Sequence, residues 1–546
     1  MAGNDLIDSQ QASPLLLGQA RDDGDGKGFL CYNQSDYKEV KVWWSFVWPT
    51  MILFFCTNSM TLVDMAFVGH LSTDYLAAAA LAGMLFDVSN AMFARCFIQV
   101  LAVLCSQAYG SGKHKLMGRW LQLAIVVCCV FGIPISAMYW YAAEILDAIV
   151  GVSEELRGPV NTFSRWSILR LYPRLVYGCL QQFCISQKVI RPLVYLNLIS
   201  VVMNVVFNQV LIHGFGTWEG FGFQGSPMAT ALTSLLICLL MIVYLFVWRV
   251  DIVARTWQPW SVKESVRGDR LAEFLKQAGP LSIAICFEMF QIQSVGLFVV
   301  QLSHRKGNYL VSTHSGLISL FGTLCAFQGG VLRGTSVRVS HYIGGQDAQG
   351  AQKVMRLAFS ISSIIGAVIS AFIFAFRHEL PHLYSNDVRV WDETADLLII
   401  VAFGYFLCVV FYLSMAVLDA QGRPQIVALA FFCGSWVIAL PIIYMNAFWF
   451  DFGLFGIWVG LIIGYIITSL VLSYFVLRTD WNEVLEDASR RNNLHDDNES
   501  VASSVCMASG PVDQMVDSVT GSPRFFPPSP ARQYRGLQER LSSRIE

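Results

Sequence analysis

The sequence predicts an all-α integral membrane protein: twelve transmembrane helices in two pseudo-symmetric lobes of six. Three observations predict it. Long apolar runs recur along the chain, its few charges crowd into ends and short connections, and the second half repeats the first at a constant interval.

The 546 residues are 55% hydrophobic and only 14% charged, against about 25% charged in an ordinary soluble domain. A spanning helix needs roughly 20 apolar residues, and the run from Ile52 to Gly69 already approaches that after Trp43–Pro49. Spans are expected near 42–69, 76–105, 120–143, 163–186, 190–213, 226–249, 275–302, 309–332, 355–377, 393–420, 425–449 and 453–477. The domain reading is a disordered N-terminal tail (1–40), a first lobe (41–250), a connecting loop (251–274), a second lobe (275–478) and a disordered C-terminal tail (479–546). The last segment turns polar and Ser/Pro-rich, a composition that buries too little apolar surface to fold.

The polar start, with Asp22, Asp23, Asp25 and Lys27, does not read as a cleavable signal peptide. Lysines and arginines gather in the connections after even-numbered spans: Lys113, Lys115 and Arg119, then Lys188 and Arg191, the 249–276 stretch, 333–356 and Arg423. By the positive-inside bias both termini face the cytosol. The net charge of -2 says nothing of partners, no free basic surface is large enough for nucleic acid, and the fourteen cysteines lack metal-ligand spacing. No catalytic triad or nucleotide-binding loop is visible: Gly110, Gly112, Gly344 and Gly345 sit at turns without Walker spacing. An enzyme is not expected, and no cofactor.

The internal repeat is the most informative feature. Ser106–Gly110 falls on Ser340–Gly344, Phe131–Ser136 on Ile365–Ser370 and Gln187 on Gln421, each pair 234 positions apart. Pro49 matches Pro280, and Leu71 matches Leu302, at 231. Halves of even helix number insert the same way up, so an axis along the membrane normal should relate them, as in parallel-repeat transporters. Two similar bundles rocking about a central cavity make an alternating-access device.

Val63-Asp-Met-Ala-Phe-Val-Gly-His-Leu71 and Cys105-Ser-Gln-Ala-Tyr-Gly-Ser-Gly-Lys113 closely resemble the multidrug and toxic compound extrusion (MATE) transporters, eukaryotic branch. Asn204-Val-Val-Phe-Asn208, Val337-Arg-Val-Ser340 and Glu288 beside Met289-Phe290 extend the likeness over residues 40–480. The resemblance implies a V-shaped pair of lobes exporting organic cations or metabolites in exchange for H⁺ or Na⁺. Glu288 corresponds to the family's seventh-span glutamate. Asp64 corresponds to the first-span acid of many microbial members, and Asn204 and Asn208 to asparagines that neighbour it. Two departures stand out: Gln293 where eukaryotic members often carry a second acid, and Cys408 where a tenth-span acid is usual. One central acid favours one charge per cycle over dications.

A charged carboxylate at mid-bilayer costs about 2.5–3.5 kcal/mol on insertion scales, so intramembrane acids are candidate functional groups. Glu288, Asp64 and Asp87 are the candidates for proton or cation coupling. A carboxylate suits the task because it holds a proton or a cation, and not both comfortably. Arg95 is read as a counter-charge for an acid of the first lobe, and Asp419 as a loop-capping residue. Asn204, Asn208, Gln291, Gln293, Tyr195 and His314 are candidates for the substrate cavity. The expected partners are a small organic cation or metabolite and the lipid bilayer, the working unit a monomer, and the location a plasma or vacuolar membrane. The alternative is a flippase for lipid-linked substrates, which would call for a cationic cavity and often fourteen spans.

Overall fold

The computed structural model describes residues 34–493, apart from 151, 153, 258, 260–261, 307–308 and 384–387. Its long helices are α1 (Gln34–Gly69), α2 (73–110), α3 (His114–Trp140), α4 (Glu154–Ser186), α5 (Arg191–His213) and α6 (Gly222–Trp248). They continue as α7 (Gly268–Lys306), α8 (Tyr309–Gly344), α9 (Ala348–Ala375), α10 (Val388–Gln421), α11 (Pro424–Trp449) and α12 (Gly453–Leu477). Eleven are long and apolar enough to cross a membrane. The remaining one, α4, has the length at 33 residues but carries Arg157, Arg165, Arg170 and Arg174. Three of those charges are occupied locally: Arg157 pairs with Asp147 and Glu154, Arg165 lies over the Trp140 ring, and Arg170 lies over Phe86.

Hydropathy sets the expected spans shorter than the helices. α8 runs to Gly344, α9 starts at Ala348 and α7 starts at Gly268, because the helical backbone continues past the hydrocarbon into amphipathic ends. A 36-residue helix such as α8 rises about 54 Å at 1.5 Å per residue, well beyond a core of about 30 Å.

Two expectations for the tails need correction. The polar stretch after Arg478 forms a helix, α13 (Trp481–Asn493), whose Trp481, Val484, Leu485 and Ala488 pack against buried residues of α8 and α9. At the other end α1 already begins at Gln34, and Glu39 is buried against Arg338 at 2.6 and 2.9 Å, with the Tyr342 hydroxyl donating at 2.8 Å. Residues 1–33 and 494–546 lie outside the described residues. The connection expected over 251–274 contains two short helices, Val250–Thr256 and Val262–Ser265, and the first turns of α7.

The repeat seen in the sequence returns as backbone geometry. At the basic end, α2, α4, α8 and α10 each close with a residue of positive φ: Gly112 (76°), Lys188 (66°), Gln346 (60°) and Gly422 (74°). At each, the next residue's N–H returns to a carbonyl in the last turn: Lys113 to Ala108, Val189 to Cys184, Asp347 to Tyr342 and Arg423 to Leu418. This ending satisfies the orphan carbonyls of a helix terminus. Gly112 pairs with Gln346, and Lys188 with Gly422, at the same interval of 234.

The same end joins the two halves reciprocally. A Cβ on Gly110 would stand 2.0 Å from the His341 carbonyl oxygen, and one on Gly344 would stand 2.0 Å from that of Gln107. Gly110 and Gly344, and likewise Gln107 and His341, are repeat partners. Only glycine permits so close a backbone approach. Nearby, α1 lies along α8, with the Trp43 indole donating to Thr335 at 3.0 Å and Thr50 to the Gly330 carbonyl at 3.1 Å.

Candidate functional site

The close approach of α1 and α8 extends to Phe54 and Gly329. Beyond it opens a cavity of about 920 Å³ between α1 and α2 on one side and α7, α8 and α10 on the other. Its charged lining residues are Glu288, Arg95 and Arg333, with Asn58 and Gln99 as neutral polar groups and Phe54 and Tyr412 as rings. Local sequence positions two of them. Pro280 removes a backbone donor from α7 about two turns before Glu288, and Arg95 ends a π-helical stretch, Asn90–Arg95, inside α2. Such π-turns are frequent at functional sites, where the extra residue re-aims the side chains that follow.

Glu288 has no hydrogen-bond partner among the described residues, and Arg95 is the cation in whose field it lies. Tyr412, Tyr465, Cys325 and Cys408 stand around it. Arg95 therefore acts on Asp87 of the first half, as expected, and beyond that expectation on Glu288 of the second. Asp419 departs from its reading: it is 4% exposed and accepts a hydrogen bond from Gln99 across the two halves, instead of capping a loop. It lies behind Arg333, within that residue's field.

Asp64 sits in a different environment. Its Oδ1 accepts from Asn204 at 3.1 Å and Asn208 at 2.8 Å, and its Oδ2 accepts from the Thr230 hydroxyl at 2.7 Å. The two asparagines, four residues apart on α5, were legible as one face. Thr230 was not, because α6 also contains Ser226, Thr233 and Ser234, and hydroxyls in a helix commonly bond back to their own backbone. Asp87 lies in the combined field of Arg170, Arg174 and Arg95, without a direct ion pair among the described residues.

The other cavity candidates are scattered. Gln291 is buried and Gln293 half-buried on α7, and neither lines the cavity. His314 packs on the Trp458 ring, at 5.8 Å between centroids, beside a separate apolar cavity of about 570 Å³ that Cys408 and Tyr465 also line. Tyr195 is 66% exposed on α5, and the structure brings it to neither the Asp64 cluster nor the Glu288 cavity. Among the described residues no group of three or more His, Cys, Asp or Glu could hold a metal ion.

The arrangement is thus one acid held by three donors and a second acid, without a donor among the described residues, facing arginine in an open cavity. Comparison with known proteins places it in context. The MatE family model matches residues 49–210 and again 284–445, the second match starting 235 positions after the first. Protein DETOXIFICATION 30 of Arabidopsis thaliana is 26% identical over 449 residues, covering 81% of this chain and 86% of that protein. An uncharacterized transporter of Schizosaccharomyces pombe, C4B3.13, is 25% identical over 480 residues, 84% of each chain. Among solved structures, the eukaryotic MATE transporter AtDTX14 superimposes with a TM-score of 0.77 at 20% identity, over 84% of this chain and 100% of that one.

Proposed function

The chain belongs to the MatE family, so it is a multi-pass membrane transporter and not an enzyme, and from that premise we propose that it is a secondary antiporter exporting organic cations, xenobiotics or metabolites in exchange for H⁺. The observation that carries this reading is Glu288: a carboxyl without a hydrogen-bond donor among the described residues, facing a cavity between the two halves. An acid already committed to three donors, as Asp64 is, has less freedom to change partners.

In the proposed cycle a proton neutralises Glu288 and an arriving positive group displaces it. The two lobes, 41–250 and 275–478, rock about the cavity. In this reading the arrangement described, with Gly110 against the His341 backbone and Gly344 against that of Gln107 at the basic end, corresponds to the state closed toward the cytosol. One pH unit across the membrane supplies about 1.4 kcal/mol per proton. The protein would act as a monomer in a plasma or vacuolar membrane, both termini cytosolic. A flippase for lipid-linked substrates is not favoured, since the named relatives above are detoxification proteins and transporters.

The test is uptake of a fluorescent organic cation into acid-interior proteoliposomes. Gradient-driven uptake by the native chain that Glu288→Gln abolishes is the expected result. Equal uptake by both would refute the coupling role.

A further inference from the structure

The cavity beside Glu288 is lined by two guanidinium groups and one carboxylate. Neither Arg95 nor Arg333 makes a hydrogen bond or ion pair with any described residue. The acid nearest Arg333, Asp419, is engaged by Gln99 through Oδ2, and its buried Oδ1 has no partner. Arg95 and Arg333 stand close enough to lie in each other's field, with Asp419 acting on Arg333 and Glu288 lying in the field of Arg95, in neither case through a direct ion pair among the described residues. Ionisable side chains at membrane depth are costly and usually paired. Neither guanidinium fork is met by a direct acceptor among the described residues, so both stand open to an anionic group in the cavity.

We propose that Arg95 and Arg333 form an anion subsite in the cavity that Glu288 occupies, so that the preferred substrate is zwitterionic: a cationic centre for Glu288 and a carboxylate for the arginine pair. A guanidinium matches a carboxylate in a bidentate fork, which gives orientation as well as attraction. Phe54 and Tyr412 supply flat apolar surface for the body of such a molecule. The inference rests on the exporter reading, because it assigns both ends of one transported molecule. It leaves proton exchange intact, since the positive end still competes with the proton at Glu288. A purely cationic compound would leave the arginines unmatched and repelling it.

The test uses two dyes that differ by one methyl ester. Rhodamine 110 carries a free carboxylate beside its cationic xanthylium, and rhodamine 123 is its methyl ester. In acid-interior proteoliposomes, with uptake by protein-free vesicles subtracted, the native chain should favour rhodamine 110 about tenfold in kcat/KM, the size expected of one charge-assisted hydrogen-bonded contact. In Arg95→Gln and in Arg333→Gln that ratio should fall toward one, while Arg95→Lys, which keeps charge but loses the fork, should retain part of it. Equal handling of the dyes by the native chain, or a preference surviving both glutamine variants, overturns the subsite. Uptake of neither dye would count against the exporter reading instead. Fluorescence polarisation of each dye with the detergent-purified protein then decides the subsite: tighter rhodamine 110 binding lost in the glutamine variants upholds it, and equal binding overturns it.

Discussion

Gly344→Ala should push the two halves apart at the basic end. The added methyl would lie 2.0 Å from the Gln107 carbonyl oxygen, 2.7 Å from its carbon and 2.9 Å from its Cα, where ordinary contact begins at 3.4 Å. All three are backbone atoms, so no rotamer change relieves the clash and the helices must separate by roughly an ångström. Overpacking of this kind costs about 1–3 kcal/mol, and each 1.4 kcal/mol is a factor of about ten. The clash exists only while the basic end is shut, so the equilibrium should move away from this state by about 5- to 150-fold. Gly110→Ala should act the same way, by the repeat. Pulsed EPR between non-cysteine spin labels at the exposed positions Lys115 and Gln349 would read the change as a longer distance population. Gly279→Ala is the control, because a Cβ there meets nothing within 4 Å. An unchanged distribution in Gly344→Ala, or the same shift in Gly279→Ala, would refute the argument.

Three further outcomes are expected. Truncation after Asp480 should loosen the same end, since α13 receives Lys113 at Asn493 (2.9 Å) and Gln346 at the Leu485 carbonyl (2.9 Å), and pairs Glu483 with Arg423 (2.8 Å); the same spin labels would report it. Thr230→Val should lower thermal stability by about 1.5–3 kcal/mol by withdrawing a donor from Asp64, with Thr230→Ser restoring most of it in a melting assay. Lys188→Gly should raise the melting temperature, because it relieves a left-handed residue (φ 66°) that costs about 1–2 kcal/mol. Burial, and then nearby Arg338, also hold the Lys188 ammonium below its usual 10.5. A cation with a depressed value costs stability while it is charged in the unfolded chain, so the advantage of the glycine variant should shrink as pH rises toward 10.5. A gain that grows between pH 7 and 9.5 would contradict this.

Hydropathy and the repeat made the spans and their pairing legible, because both depend on local composition and spacing. Asn204, Asn208 and Asp64 were legible as a group for a similar reason: two amides one helical turn apart, with a span-1 acid in a familiar motif. What the sequence concealed depends on contacts between distant helices. Arg95 reaches Glu288, and Gln99 reaches Asp419, only when α2 packs between α7 and α10. Arg333 was read as part of a basic loop because hydropathy ends span 8 early, although the helix carries on past it. Charge likewise masked α13: Trp481, Val484, Leu485 and Ala488 form one apolar face within a strongly polar stretch, a pattern that periodicity would have caught. Tyr195 has a polar aromatic side chain suited to a cavity, but its exposure on α5 follows from a helix rotation that Asn197, bonded to Tyr177 at 2.6 Å, helps to set.

The proposed exchange at Glu288 can be measured without a membrane. Detergent-purified protein in weakly buffered solution is mixed with rhodamine 110, and the pH of the medium is followed with an indicator. The account predicts that the native chain releases a proton on binding the dye and that Glu288→Gln, still binding it, releases none. Binding without proton release by the native chain, or equal release by both, would contradict it.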